Sequence, residues 1–398
     1  MKVLVCPDSF KGSLSSVEVA SAIRQGLQEA GIEEVVEKPL ADGGEGTIEA
    51  FEKNKGGERI TYRVTGPWGE EVEAAILVWE DTAIVEMAQA AGFVLLPLQR
   101  RNPRFTTTYG VGELLGKALA LGVKRIILAV GGSATTDGGM GALQALGVRF
   151  FDTQGKELFG VGDNLPRVAS IDFSGMVVKP KEVEFIIACD VENPLYGEHG
   201  AACVYAPQKG ALPEDVVLLD QGLKHYAEVL RRFTGISVDS LPGGGAGGGI
   251  VAGMFAFWGG KIVSGAELLL EIFEVEREVQ EATWVISGEG KIDRQTTFGK
   301  LPWRVKEICA RYEKPLVLIG GLVEEEISFL FGEQVALFSL IRDFENKEEA
   351  CQRAFALLKY LSCNLGKVMK GGVKTGGAKN SLCFSSTGNR GGSGIERD

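Results

Sequence analysis

"RIILAVGGSATTDGGMGALQALG", residues 125 to 147, is an apolar run that breaks into small polar residues and then resumes with helical spacing. Between Ala129 and Gly139 it holds four glycines, three hydroxyls and one carboxylate, Asp137. Glycine permits a tight turn and a close ligand, and short side chains leave the amides at the start of the next helix uncovered. A buried strand that ends this way reads as a strand-to-helix turn suited to an anion. The same Ser, Thr and Asp could equally do no more than cap the helix.

Outward from this turn, strand-sized apolar runs recur at 3–5, 34–37, 184–188, 283–287, 315–320 and 335–339. Most are separated by helical patterns. Val111, Leu114, Leu115, Ala118 and Leu119 share one helix face, as do Val19, Ile23 and Leu27. Strands alternating with helices predict parallel sheet, with ligand loops at the carboxyl ends of the strands. Residues 58–86 break the repeat: β-rich runs interrupted by "GPWGE" suit antiparallel hairpins. The economical arrangement is two α/β domains around a cleft. Residues 1–65 and 279–362 form a discontinuous parallel-sheet domain of Rossmann or flavodoxin-like type, and 66–278 form an inserted mixed α/β domain. Residues 363–398 lose apolar periodicity and gain Gly, Ser and Lys, so a disordered basic tail is expected there.

Composition narrows the class. The chain has 398 residues, 45% hydrophobic and 24% charged, with 55 glycines and a net charge of -11. Such length suggests about two or three domains, and an acidic balance argues against a general nucleic-acid binder. No membrane span or signal segment is read at the N-terminus. Seven scattered cysteines without C-x-x-C spacing predict reduced thiols and a cytoplasmic protein. With only His199 and His225, a multi-histidine metal site or a Ser-His-Asp triad is poorly supplied.

Four further loops share the composition of the first: "CPDSFKGSLSS" from Cys6, "LADGGEGT" from Leu40, "ACDVENPL" from Ala188 and "ISGEGKIDRQTTFGK" from Ile286. In each an apolar strand runs into a carboxylate, joined by glycine and by hydroxyl or lysine in all but "ACDVENPL". Together they bring Asp8, Asp42, Asp137, Asp190, Glu289 and Asp293 to strand ends with Lys11 and Lys300, a supply suited to metal-carboxylate and phosphate-cation chemistry. The Walker pattern and the protein-kinase signatures are absent. "PGGGAGGGI" from Pro242 satisfies G-x-G-x-x-G but follows no convincing strand, which leaves a weak dinucleotide signal beside a simple close-packing turn.

In order and wording these loops, with "VTGPWG", "VEMAQAAGF", "RNPRFTTTYGVGELL" and "APQKGA", resemble the bacterial class I glycerate kinases over nearly the whole chain to about residue 360. The resemblance implies two α/β domains, the smaller sheet completed by both chain ends, and ATP- and Mg²⁺-dependent phosphorylation of D-glycerate, with the 2-hydroxyl as acceptor. Departures are a Thr at 136 where the family usually has Asn, a glycine-richer 243–249 loop and the basic tail.

Phosphoryl transfer needs cations or N–H donors on the phosphates, Mg²⁺, and a carboxylate for the hydroxyl proton. The expected assignments are Asp190 as base with Lys11 and Lys300 as catalytic cations. Asp42, Asp137 and Asp293 are expected at the metal, and Gly131, Gly132, Ser133, Thr135, Thr136, Gly288 and Gly290 at the nucleotide phosphates. Asp8, Ser9, Arg101 and Arg104 are expected at glycerate, since guanidinium grips a carboxylate bidentately. A loop-closing Asp or a solvated Lys or Arg is the plain alternative at each charged position. The rival readings are a nicotinamide-dependent 2-hydroxy-acid dehydrogenase, which lacks a strong fingerprint and a placed His base, and a non-catalytic sugar-acid or nucleotide sensor, for which no DNA-binding module is evident. Partners are expected to be small molecules only, with neither nucleic acid nor membrane.

Overall fold

The computed structural model describes residues 1–177, 179–341 and 347–375. Alternation along single strands shows how its layers stack. In Val3–Val5, Leu4 faces one apolar cluster while Val3 and Val5 face another. Leu316 and Leu318 likewise point opposite to Val317 and Ile319. On a second sheet Ile84, Ile127 and Ile186 enter the same cluster as Leu4, whereas Val85, Leu128 and Ile187 face a third. Because side chains alternate with period two, strands apolar on both faces must be covered on both. The order is helix, sheet, helix, sheet, helix, with one middle layer serving both sheets.

The first sheet is wholly parallel, in the order Val335–Ser339, Leu316–Val323, Trp284–Ile292, Val3–Val5, Val35–Glu37. Both chain ends build it, as expected. Its outer face is covered by the helices Ser16–Glu29 and Lys347–Thr375. The first of these starts at Ser15, whose hydroxyl accepts from the Glu18 amide while the Glu18 carboxylate accepts from the Ser15 amide.

The second sheet is mixed. Lys261–Val263, Glu184–Ala188, Arg125–Ala129 and Thr82–Glu86 run parallel, and Glu71–Trp79 and Glu58–Thr65 continue antiparallel. A small antiparallel sheet of Glu157–Leu158, Arg149–Phe151 and Ser170–Asp172 lies apart from both.

Two boundaries differ from the sequence reading. Strand Glu58–Thr65, expected with the first domain, pairs along its whole length with Glu71–Trp79 and so belongs to the second sheet. The expected tail from 363 is helical through Thr375: Leu365 and Met369 are buried on the helix Ser16–Glu29, joining Val19, Ile23 and Leu27. Apolar residues four apart are enough for a docked face, and the intervening Gly and Lys hid them. Residues 376–398 lie outside the described residues. No helix among the described residues is long and apolar enough to cross a membrane, and the six described cysteines are free thiols.

Candidate active site

The carboxyl ends of both sheets open on a common cleft made of two adjoining cavities, about 560 and 770 Å³. Lys11, Asp42, Cys189, Asp190 and Val191 line both and form the wall they share. Loops from the two sheets therefore meet here. Their approach is close: a Cβ on Gly131 would lie 2.6 Å from the Cα of Gly44, so position 131 does not tolerate a side chain at that crossing.

Lys11 Nζ donates to Asp42 Oδ2 at 2.8 Å, and the charges of Asp42 and Asp8 hold its ammonium above the ordinary lysine value. Asp190 accepts from Ser264 Oγ at 2.6 Å and from the Ala266 amide at 3.0 Å. Burial, then the charge of Asp42, pushes its carboxyl up to about 6 despite those bonds. Asp8 is buried, accepts from the Ser9 amide at 2.6 Å, and is raised by burial and by Asp42. Asp8, Ser9, Glu289, Gly290 and Lys300 line the larger cavity. Glu289 is raised by burial, accepts from Thr296 Oγ1 at 2.6 Å, and lies 3.7 Å from Lys300 Nζ. Across the two cavities the acids Asp8, Asp42, Glu45, Asp190, Glu192 and Glu289 outnumber the bases Lys11, Lys209, Lys300 and Arg304, an acidic balance that favours a cation.

Gly131, Gly132 and Ser133 line the smaller cavity, as the opening turn suggested. Thr135 and Thr136 do not: both are fully buried, and Thr136 Oγ1 bonds the Thr135 carbonyl. Asp137 is also sealed inside. Its carboxylate accepts from the Thr108 amide and hydroxyl at 2.8 Å each and from the amides of Gly139 and Gly141 at 3.1 and 3.2 Å. It ties together the starts of the helices Tyr109–Ala120 and Met140–Ala145, whose positive ends favour a carboxylate, and it lines neither cavity, so it does not face a metal there.

Four other expectations change. Arg104 binds Asp163 and Asp215, away from both cavities, so its guanidinium is spent on holding the loop to the helix Pro213–Thr234. Arg101 donates to the Leu96 carbonyl and stacks 3.6 Å over Phe93, leaving Phe93 rather than itself on the cavity wall. Asp293 caps the turn Arg294–Phe298 and pairs with Lys291 at 3.3 Å, and it lines neither cavity. Gly288 is buried inside the strand Trp284–Ile292.

The Gly-rich stretch packs closely against the opening turn at Gly248, while Ala246 and Gly247 line the smaller cavity. Gly248 holds φ at +73°, and a Cβ there would sit 2.0 Å from the Thr135 carbonyl oxygen. Its own carbonyl accepts from the Gly138 amide at 3.0 Å, so two glycine loops lie backbone on backbone. No strand precedes it, and neither histidine lines the cleft, which removes the two features a dehydrogenase reading needed.

Sequence reasoning overlooked Lys209, on the floor of the smaller cavity, and Arg304, which lines the larger one. Lys209 lies in "APQKGA", where nothing local distinguishes it from a solvated lysine.

A cleft with paired cations, crowded acids and glycine turns on parallel-strand ends is suited to moving a phosphoryl group between two small molecules. Comparison with known proteins agrees. Residues 3–370 match the model of the glycerate kinase family. The chain is 40% identical to the glycerate 2-kinase of Escherichia coli K12 over 95% of its own length and 100% of that protein. It is 41% identical to the glycerate kinase of Halalkalibacterium halodurans over 92% and 97%. A crystal structure assigned to glycerate kinase 2 of Salmonella typhimurium LT2 superposes with a TM-score of 0.79, at 40% identity, covering 94% of this chain and 99% of that one. The loops that line the cleft and the sheets that carry them are therefore those of one family, and the chain belongs to the glycerate kinase family.

Proposed function

We propose that the protein transfers the γ-phosphoryl group of ATP to the 2-hydroxyl of D-glycerate. The observation that carries this reading is the wall shared by the two cavities, where Lys11, Asp42 and Asp190 stand between the spaces for two substrates. Donor and acceptor must meet there for a direct transfer.

Asp190 is the proton acceptor. Its carboxyl is pushed up to about 6 by burial, so it is ionised near neutrality yet basic enough to take a hydroxyl proton as the bond to phosphorus forms. Ser264 and the Ala266 amide fix its orientation. Lys11 and Lys300 offset charge on the transferring and leaving oxygens. Arg304 and Lys300, with Lys11 on the shared wall, are the cations of the larger cavity, and Arg304 and Lys300 replace Arg101 and Arg104 at glycerate.

The donor set fits Mg²⁺. Among the described residues no three Asp, Glu, His or Cys side chains form a metal cluster. Mg²⁺ usually keeps waters and takes only one or two carboxylates besides substrate phosphates. Asp42 with Asp8 supplies such a pair: burial first and then the charge of Asp42 raise Asp8, and a divalent cation would relieve the second. Held there with the nucleotide, Mg²⁺ would supply charge neutralisation on the phosphates.

The test is ADP release that requires D-glycerate, ATP and Mg²⁺ together, with phosphorus NMR of the product. A 2-phosphate signal is expected. A 3-phosphate product overturns the position, and turnover undiminished by excess EDTA overturns the metal.

A further inference from the structure

Lys209 is 4% exposed and reaches the floor of the smaller cavity. An ammonium group has three N–H donors. Two are spent, on Ser133 Oγ at 2.9 Å and on the Thr135 carbonyl oxygen at 2.7 Å. The third has no acceptor among the described residues. No carboxylate is bonded to it either: the acid that acts on it, Asp137, gives its oxygens to Thr108, Gly139 and Gly141. The amides of Gly132 and Ser133, on the same cavity lining, also lack acceptors among the described residues.

Holding a carbonyl and a hydroxyl together needs a donor but not a charge. A neutral amide would do it without the cost of burying an unpaired ion. That cost is visible: burial pushes the ammonium down to about 7, and an arriving anion is what would restore its charge.

We propose that Lys209, with Ser133 and the amides of Gly132 and Ser133, forms an oxyanion site on the cavity floor that takes an anionic oxygen of a substrate. The ligand is the carboxylate of the three-carbon acid or a phosphate of the nucleotide, identities that rest on the kinase reading above.

Wild type, Lys209→Met and Lys209→Gln are titrated separately with D-glycerate, ATP and inorganic phosphate, with melting temperatures and steady-state kinetics alongside. Removing a charge-assisted hydrogen bond from a buried site weakens binding by about 10- to 100-fold. That weakening is expected for at least one ligand in both variants, with the KM of the same ligand rising more than kcat falls. Weaker binding of D-glycerate alone identifies the carboxylate. Weaker binding of ATP and phosphate identifies the phosphoryl oxygen. Lys209→Gln keeps a donor for Ser133 and Thr135, so the charge is still tested if the Met variant fails to fold. Wild-type affinity and KM in Lys209→Gln, whatever its melting temperature, overturn the site and leave Lys209 a loop tether. A wild type that binds these anions through Lys209 but does not turn over overturns the kinase reading and not this one.

Discussion

At Asp190, removing charge while keeping shape separates three roles. Asp190→Asn keeps one oxygen to accept from the Ala266 amide and turns an N–H donor toward Ser264 Oγ, which can accept it, but the variant cannot take a proton. As the base, it should lower kcat by about 10²- to 10⁴-fold with little change in the KM for ATP. Activity recovered by high Mg²⁺ would instead make it a metal ligand. Turnover near wild type with a lower melting temperature would reduce it to a loop closer. Side chains of one chemical type are thus sorted by what surrounds them: Asp190 faces the cleft with a raised carboxyl, while Asp137 is enclosed by helix-start amides.

Among the elements, the helix Thr47–Lys55 depends on a residue from another strand. Its N-cap position is Gly46, which has no side chain to offer, and Glu86 supplies the carboxylate, accepting from the amides of Gly46 at 3.0 Å and Ile48 at 3.1 Å. Burial outweighs those bonds and raises Glu86 from its ordinary 4.5 to about 7. Between these values the folded state keeps a proton that the unfolded chain has released. Stability therefore falls as pH rises through that window, by at most about 1.4 kcal/mol per pH unit from this group. Glu86→Gln does not titrate, so its denaturation midpoints measured from pH 4.5 to 7 should lack that component; curves parallel to wild type would contradict it. The terminal helix makes the second element-scale prediction. Truncation after Leu361 removes the buried Leu365 and Met369, whose burial contributes about 1.5–3 kcal/mol each. A denaturant midpoint well below that of the full chain is expected, and an unchanged midpoint would return this segment to the status of a tail.

For the whole molecule, the shared middle layer matters most. Leu4, Val285 and Leu316 of one sheet and Leu77, Ile127 and Ile186 of the other belong to one apolar cluster with Phe51, Leu269, Val279 and Val305 from the helices between them. Neither sheet can lose its helices without exposing the other. Scanning calorimetry should give one transition with equal calorimetric and van't Hoff enthalpies; two resolved transitions would show that the sheets unfold independently. The sequence alone determined the alternation of strands and helices, the return of the chain end to the first sheet, the antiparallel edge and the loops that meet at the cleft. Those properties are carried by periodicity and by residue types adjacent in the chain. Only the tertiary structure decided that Glu58–Thr65 joins the second sheet, that residues after 363 continue as a docked helix, that Asp137 and Arg104 are structural, and that Lys209 reaches the cleft. In each case the deciding partner lies on another segment: Glu71–Trp79 for the strand, Ser16–Glu29 for the helix, Thr108 for Asp137, Asp163 and Asp215 for Arg104, and Ser133 for Lys209. Whether a charge is enclosed or faces open space depends on packing between segments, which no local pattern of residues encodes.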